Sequence, residues 1–241
     1  MDYKIHFYPE SRFGGFTDID GTIAFYARIR ALAHGLKTVV DVGCGRGAAD
    51  PVPLKQELRD LRSLGAKVVG IDVDPNAQAN PLLDEFRLIT EQKWPIGSDY
   101  ADLVICDNVI EHVEDPEVFF LELARISKPG AFVCIRTPNV WGYVSLAARL
   151  IANRYHGRVL SYVQPDRREL DVFPTVYRCN SKWKLRKALT GVGFDSVVYG
   201  YEAEPSYLSF SRFAYTLGVL HQKLAPSAIR VALFAFGQKN R

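Results

Sequence analysis

The sequence predicts an α/β fold built on a doubly wound, mostly parallel sheet, and three observations carry that reading. Short, uniformly apolar runs alternate with longer amphipathic ones, as expected of strands covered on both faces by helices. A glycine-rich turn, Asp41-Val42-Gly43-Cys44-Gly45-Arg46-Gly47, directly follows the first such run. Two later runs end on acids, Asp72 and Asp107, at the carboxyl ends of strands, where such sheets bind ligands.

The elements follow in order. Ile19 to His34 carries an apolar face through Ile23, Tyr26, Ala27, Ile29 and Ala33, and Gly35 stops it. Lys37 to Val42 reads as a short buried strand. Leu54 to Leu64 is expected as one helix, with Leu54, Leu58, Leu61 and Leu64 on a face and Gly65 closing it. Lys67 to Ile71, Phe86 to Ile89 and Ala101 to Cys106 are the next strands. Pro116 to Ser127 is an amphipathic helix, and Lys128-Pro129-Gly130 is expected to turn into a strand over Ala131 to Arg136. Beyond it come a helix near Ser145 to Ala152, a polar arginine-bearing stretch, and a helix over Ser181 to Leu189 ended by Gly191 and Gly193. Strands over Asp195 to Tyr199 and Val231 to Phe236 complete the chain.

The 241 residues, 48% hydrophobic and 24% charged, suit one α/β domain with decorations. Its core is expected over about 36–138 and 181–241, with a substrate-side insertion or lid at 139–180 and an apolar helical insertion near 205–228. The formal charge of +3 is scattered, dense only over Arg154 to Arg168 and Lys182 to Lys187, so no nucleic-acid partner is expected. Cys44, Cys106, Cys134 and Cys179 lie far apart without metal-ligand spacing, which points to reduced thiols, no metal site and a cytoplasmic location. Met1 to Glu10 has no apolar core of a signal peptide, and no apolar run reaches the roughly 18–20 residues of a membrane span.

Glycine in the 41–47 turn lets the backbone bend tightly and lets a ligand approach the main chain. The spacing is G-x-G-x-G rather than the dinucleotide G-x-G-x-x-G, and Asp41 precedes it. An acid there suits a cofactor with an ammonium group and no pyrophosphate. Pro51 and Pro53 delay the following helix and weaken it as a phosphate site. Asp72 occupies the position from which a carboxylate accepts ribose hydroxyls. S-adenosyl-L-methionine is therefore favoured over NAD.

Val39 to Gly47, Gly70-Ile71-Asp72, Asp102-Leu103-Val104, Val109-Ile110-Glu111-His112-Val113 and Lys128-Pro129-Gly130 resemble the successive motifs of class I S-adenosylmethionine-dependent methyltransferases. The subgroup resemblance is to bacterial polysaccharide and small-molecule O-methyltransferases. The resemblance covers about Val39 to Pro138 and implies a Rossmann-like seven-stranded sheet whose last strand is antiparallel. It implies that Gly43, Gly45 and Gly47 wrap the methionyl end and that Asp72 holds the ribose, with Asp41, Cys44 and Val73 also counted among the cofactor-binding residues. Relatives often place an aspartate after the third strand, on the adenine amino group; here Thr90 or Glu91 falls at that place. Asp107 and Asn108 are expected to face the methyl-transfer centre.

Methyl transfer needs alignment and, for an oxygen acceptor, removal of a proton. Asp107-Asn108-Val109-Ile110 lacks the proline-aromatic motif of DNA and amide N-methyltransferases, so oxygen is favoured. His112 is the candidate general base, against a purely structural role at the start of a helix; His156 is a weaker one. Arg136 and Asn139, after the fifth strand, are expected acceptor contacts, as are Tyr177 and Arg178 in the segment Tyr162 to Asn180 that also holds Arg167, Arg168, Asp171 and Asn180. A small-molecule or glycan acceptor leads, with methylation of a lipid, quinone or phenol at a membrane surface as the alternative, and a cofactor-binding regulatory protein as the non-catalytic one. Phe210, Phe213, Leu217 and Leu220 recur at helical spacing. Packing on the sheet or a homodimer contact is favoured for them over peripheral membrane contact.

Overall fold

The structure, a computed structural model, describes residues 3–47, 49–150 and 174–241. The described residues form one seven-stranded sheet from β1 (Thr38–Val42), β2 (Lys67–Asp72), β3 (Glu85–Leu88), β4 (Ala101–Asp107), β5 (Ser127–Pro138), β6 (Phe194–Tyr201) and β7 (Ala232–Lys239). Their order is β3-β2-β1-β4-β5-β7-β6. β1 to β5 pair in parallel, and β7 runs antiparallel to both β5 and β6. The order reverses between β1 and β4, so the ends of these two strands open the crevice in which such sheets bind ligands.

Helices cover both faces: α1 (Tyr3–Phe7), α2 (Gly21–Ala33), α3 (Pro53–Arg59), α4 (Pro116–Ile126), α5 (Tyr143–Leu150), α6 (Lys182–Gly191) and α7 (Arg212–Leu224). Alternate strand residues divide the core. Val40, Val42, Val104 and Cys106 pack with Phe120 and Leu123 of α4 and Leu185 of α6. Val39, Leu103 and Ile105 point the other way, onto Phe25 and Ile29 of α2 and onto Leu61. Each fully buried side chain of this kind contributes about 1.5–3 kcal/mol. Side-chain caps start the helices: Asp20 accepts from Thr22 and Ile23 N–H before α2, and Asp115 from Glu117 and Val118 before α4.

Three expectations are corrected. The helix over Leu54 to Leu64 breaks at Asp60, whose carboxylate accepts from Arg62 N–H and opens a 3-10 turn over Leu61–Leu64. Arg30 of α2 braces the break by donating to the carbonyls of Glu57 (2.9 Å) and Asp60 (3.1 Å). Lys128-Pro129-Gly130 belongs to β5 itself: Ser127 pairs with Ala101, the register shifts before Leu103, and Lys128 Nζ meets Asp102 Oδ1 at 2.7 Å. The apolar face of α7 packs neither on the sheet nor inside. Its opposite face, Tyr215 and Val219, meets Tyr8, Tyr3 and Phe7, while Phe213, Leu217, Leu220 and Leu224 stay exposed.

Candidate functional site

The glycine turn leaves β1 at the switch point and is fixed from below. Gly43 and Cys44 N–H donate to Ile71 O at 2.7 and 3.3 Å. Gly45 N–H donates to Asp72 Oδ2 at 2.9 Å, and Asp74 N–H to Oδ1 at 2.9 Å, so Asp72 is oriented by the turn it serves. Asn80 Nδ2 donates to Cys44 O and Gly45 O at 2.9 and 3.2 Å. Gly43, Gly45 and Gly47 all have positive φ, 66°, 53° and 64°. A Cβ on Gly43 would strike Val109, and one on Gly47 would strike Asn80, but one on Gly45 would meet nothing within 4 Å. The turn therefore faces open space through Gly45.

Two cavities meet there, sharing Gly43, Gly45, Arg46 and Asn108. One, of about 560 Å³, runs past Asp72 and Val73 between Ile89, Trp94, Val109 and Phe119 to Glu111, His112, Pro174 and Val176. The other, of about 420 Å³, reaches Cys44, Gly47, Asp41, Tyr26, Arg59 and Asp107. Asp41 is acidic in a poor setting for charge: burial, with Asp107 and Asp72 nearby, pushes its carboxyl up to about 8. Arg59, which favours the ionised form, is drawn to Asp50 at 3.3 Å. A cationic ligand group suits this end.

At the far end of the larger cavity, His112 Nδ1 lies 2.9 Å from Pro174 O. A carbonyl only accepts, so Nδ1 carries the proton and Nε2 is the atom turned to Glu111 Oε1, 4.0 Å away. Glu111 is buried, and burial holds its carboxyl above the usual range, opposed by the Thr137 hydroxyl that donates to Oε2 at 2.8 Å. Asn180 Nδ2 donates in turn to Thr137 Oγ1 at 2.7 Å. Val176 and Tyr177 N–H both donate to Glu111 O, pinning the chain that re-enters after residue 173.

Thus Asp41, Gly43, Cys44, Gly45, Gly47, Asp72, Val73, Asp107, Asn108 and His112 line the joined cavities. Thr90 and Glu91 do not; they edge a separate depression with Lys93 and Pro95, while Ile89 lines the larger cavity and Trp94 lies between the two. Arg136 is held away from any acceptor by Asp107 (2.6 Å twice) and Thr22 Oγ1 (3.0 Å). Asn139 is fully buried, tying Ala228 O and Arg230 O to Trp141 N–H. Tyr177 contributes its backbone, and Arg178 is exposed with its carbonyl accepting from Lys184 Nζ. His156, Arg167, Arg168 and Asp171 lie outside the described residues. Tyr26, Asn80, Trp94 and Phe119 join the site without having been expected there. Only Tyr26 carried a signal in the sequence, a polar tip on the buried face of α2.

Among the described residues all four cysteines are free thiols, no acid, His or Cys cluster suits a metal ion, and no helix is long and apolar enough to cross a membrane. A family model described as a methyltransferase domain matches residues 19–173. A ubiquinone biosynthesis O-methyltransferase of Rhizobium etli is 30% identical over 115 residues, covering 44% of this chain and 42% of that protein. The chain thus spans less than half the length of that relative. One of the same name from Nitrosomonas europaea is 26% identical over 189 residues, 70% of this chain and 74% of the relative. Among solved structures, a SAM-dependent methyltransferase from Archaeoglobus fulgidus superimposes with a TM-score of 0.55 at 20% identity over 98% of this chain and 99% of that one. Haemonchus contortus phosphoethanolamine N-methyltransferase 2, in complex with S-adenosyl-L-methionine, gives 0.54 at 17% identity over 91% and 52%. These two likenesses concern the fold.

Proposed function

The chain belongs to the methyltransferase-domain family; from that premise we propose that it is an S-adenosyl-L-methionine-dependent enzyme that methylates a phenolic hydroxyl on an apolar ring acceptor. The observation that carries this reading is the pairing of Glu111 with an oriented His112 at the far end of the larger cavity, which Val109, Val113, Pro174 and Val176 also line.

The residues fit the cofactor. Gly43, Gly45 and Gly47 provide its cradle, Asp72 keeps lone pairs for ribose hydroxyls after accepting two N–H groups, and Asp41 gives the cationic end its counter-charge. When bound, the cofactor supplies an electrophilic methyl group on a sulfonium. The protein's share is alignment and proton removal. Pro174 fixes the His112 tautomer, so Nε2 takes the proton of the acceptor hydroxyl, and Glu111 steadies the resulting imidazolium. The apolar wall keeps water from competing.

The choice of a phenol over a sugar rests on two points. Arg136 and Asn139, two of the expected acceptor contacts, spend hydrogen bonds within the fold, and most of the arginine-bearing stretch that favoured a glycan lies outside the described residues. The relatives that match are named for ubiquinone biosynthesis. The test is methyl transfer from labelled cofactor to ortho-dihydroxybenzenes, with and without an alkyl chain, beside nucleotide sugars and glycans. Transfer to the phenols is expected. Transfer to sugars alone overturns the acceptor, and transfer to none leaves the regulatory reading.

A further inference from the structure

Helix α7 has two apolar faces. Tyr215, Gly218 and Val219 are buried, while Phe213, Leu217, Leu220 and Leu224 on the other side are 74%, 49%, 52% and 71% exposed. At about 100° per residue, the four exposed side chains fall within an arc of about 60°, a continuous stripe along the whole helix. Isolated exposed leucines are ordinary; a row of four is not. Phe210 and Tyr207 extend it beyond the N-terminus, and Ile229 lies exposed past the C-terminus.

Charge identifies the occupant. Arg212 and Lys223 are exposed and project about 90–110° to one side of the stripe's midline, so both cations flank the same edge. No Asp or Glu occurs from Pro205 to Arg241. In a two-fold pairing with a second copy, the same patch meets itself. That arrangement would leave these cations without an acid on the helix to meet them. Anionic headgroups at an apolar interface match the whole pattern: the stripe enters the acyl boundary and the flanking cations stay among the headgroups. The helix is too short and too polar on its flanks to span a bilayer.

We propose that the outer face of α7 docks the protein on an anionic lipid surface. The connection bearing α7 leaves β6 at Tyr201 and re-enters β7 at Ala232, in register with Pro138 at the end of β5. That is the sheet edge from which the glycine turn and Asp107 project, so docking brings the acceptor side to the lipid. This goes beyond the proposed acceptor and does not depend on it, because binding is read without methyl transfer.

The test is flotation with phosphatidylcholine vesicles and with vesicles containing roughly one third phosphatidylglycerol. Preferential binding to the anionic vesicles, by about tenfold or more, is expected. Phe213→Ser with Leu217→Ser should abolish it, and Arg212→Glu with Lys223→Glu should remove the preference. Unchanged circular dichroism and melting establish that both variants fold, as expected for exposed positions. Failure of the unaltered protein to bind either vesicle overturns the proposal, as does binding that neither double variant weakens. A dimer in light scattering that Phe213→Ser with Leu217→Ser dissociates, without vesicle binding, gives the face to a second copy and also overturns it.

Discussion

The guanidinium of Arg136 grips the carboxylate of Asp107 through two bonds of 2.6 Å, beneath the edge where ligands bind. Tyr26 donates to the same carboxylate at 3.0 Å, and the Arg136 guanidinium lies 5.2 Å from the Phe25 ring centroid. Burial, with the Asp107 charge, keeps the Tyr26 phenol well above its usual range, so it remains a donor. This cluster joins α2, β4 and β5 and sets the floor of the smaller cavity.

Arg136→Ala should therefore be a folding defect before it is a binding defect. Removing one partner of a buried pair strands the other, at a cost of about 3 kcal/mol or more. Urea denaturation should show that loss with an unchanged slope. A loss under about 1 kcal/mol with a raised acceptor KM would return Arg136 to the substrate.

Asp41 makes stability and cofactor binding depend on pH in opposite directions. Its folded carboxyl sits at about 8, against about 3.9 in an unfolded chain. The folded state thus holds the extra proton between these values, and stability falls as pH rises through that window. Asp41→Asn removes the penalty and should raise the melting temperature of the cofactor-free protein by about 3 °C near pH 8. The same change should weaken cofactor binding about tenfold. Because a cationic ligand ionises Asp41, binding at neutral pH should release a proton. Calorimetric heats in Tris and phosphate should then differ, and equal heats would count against the assignment.

Glu111 and Thr137 give a second pH signature. Burial raises the Glu111 carboxyl and the Thr137 hydroxyl opposes that rise. Thr137→Val removes a hydrogen bond to a charged group, worth about 1.5–3 kcal/mol. The folded carboxyl then rises further, so the variant's deficit, beyond the pH-independent loss of the Asn180 bond to Thr137 Oγ1, should grow from about pH 4 toward about pH 8. Equal deficits at both ends would mean that the hydroxyl supports the fold without touching an ionised Glu111.

The sheet and the glycine turn were legible because they are local. Short, uniformly apolar runs mark β1, β2 and β4, and Gly43, Gly45 and Gly47 lie where positive φ is required. What the sequence hid depends on distant partners. Arg136 follows a strand at the ligand edge, as an acceptor contact would, but Thr22 and Phe25 lie more than a hundred residues away. Asn139 is a similar case, spent on the backbone at Ala228 and Arg230. The break at Asp60 is braced from α2 by Arg30, which donates to the carbonyls of Glu57 and Asp60. On α7 the period was plain, but which of its two apolar faces is covered depends on Tyr8 and α1.

His112 separates a base from a structural histidine. If Nε2 removes the acceptor proton, His112→Ala should lower kcat by about a hundredfold or more while cofactor affinity stays within about threefold. Its Nδ1 bond to Pro174 predicts a further distinction. Asn in place of His keeps a donor near the Nδ1 position and so preserves the bond to the re-entering chain, without a base at Nε2. His112→Asn should then melt like the unaltered protein and still be inactive. Equal activity in both variants and the parent would assign the residue to the fold alone. Activity lost only in proportion to stability would place it there as well.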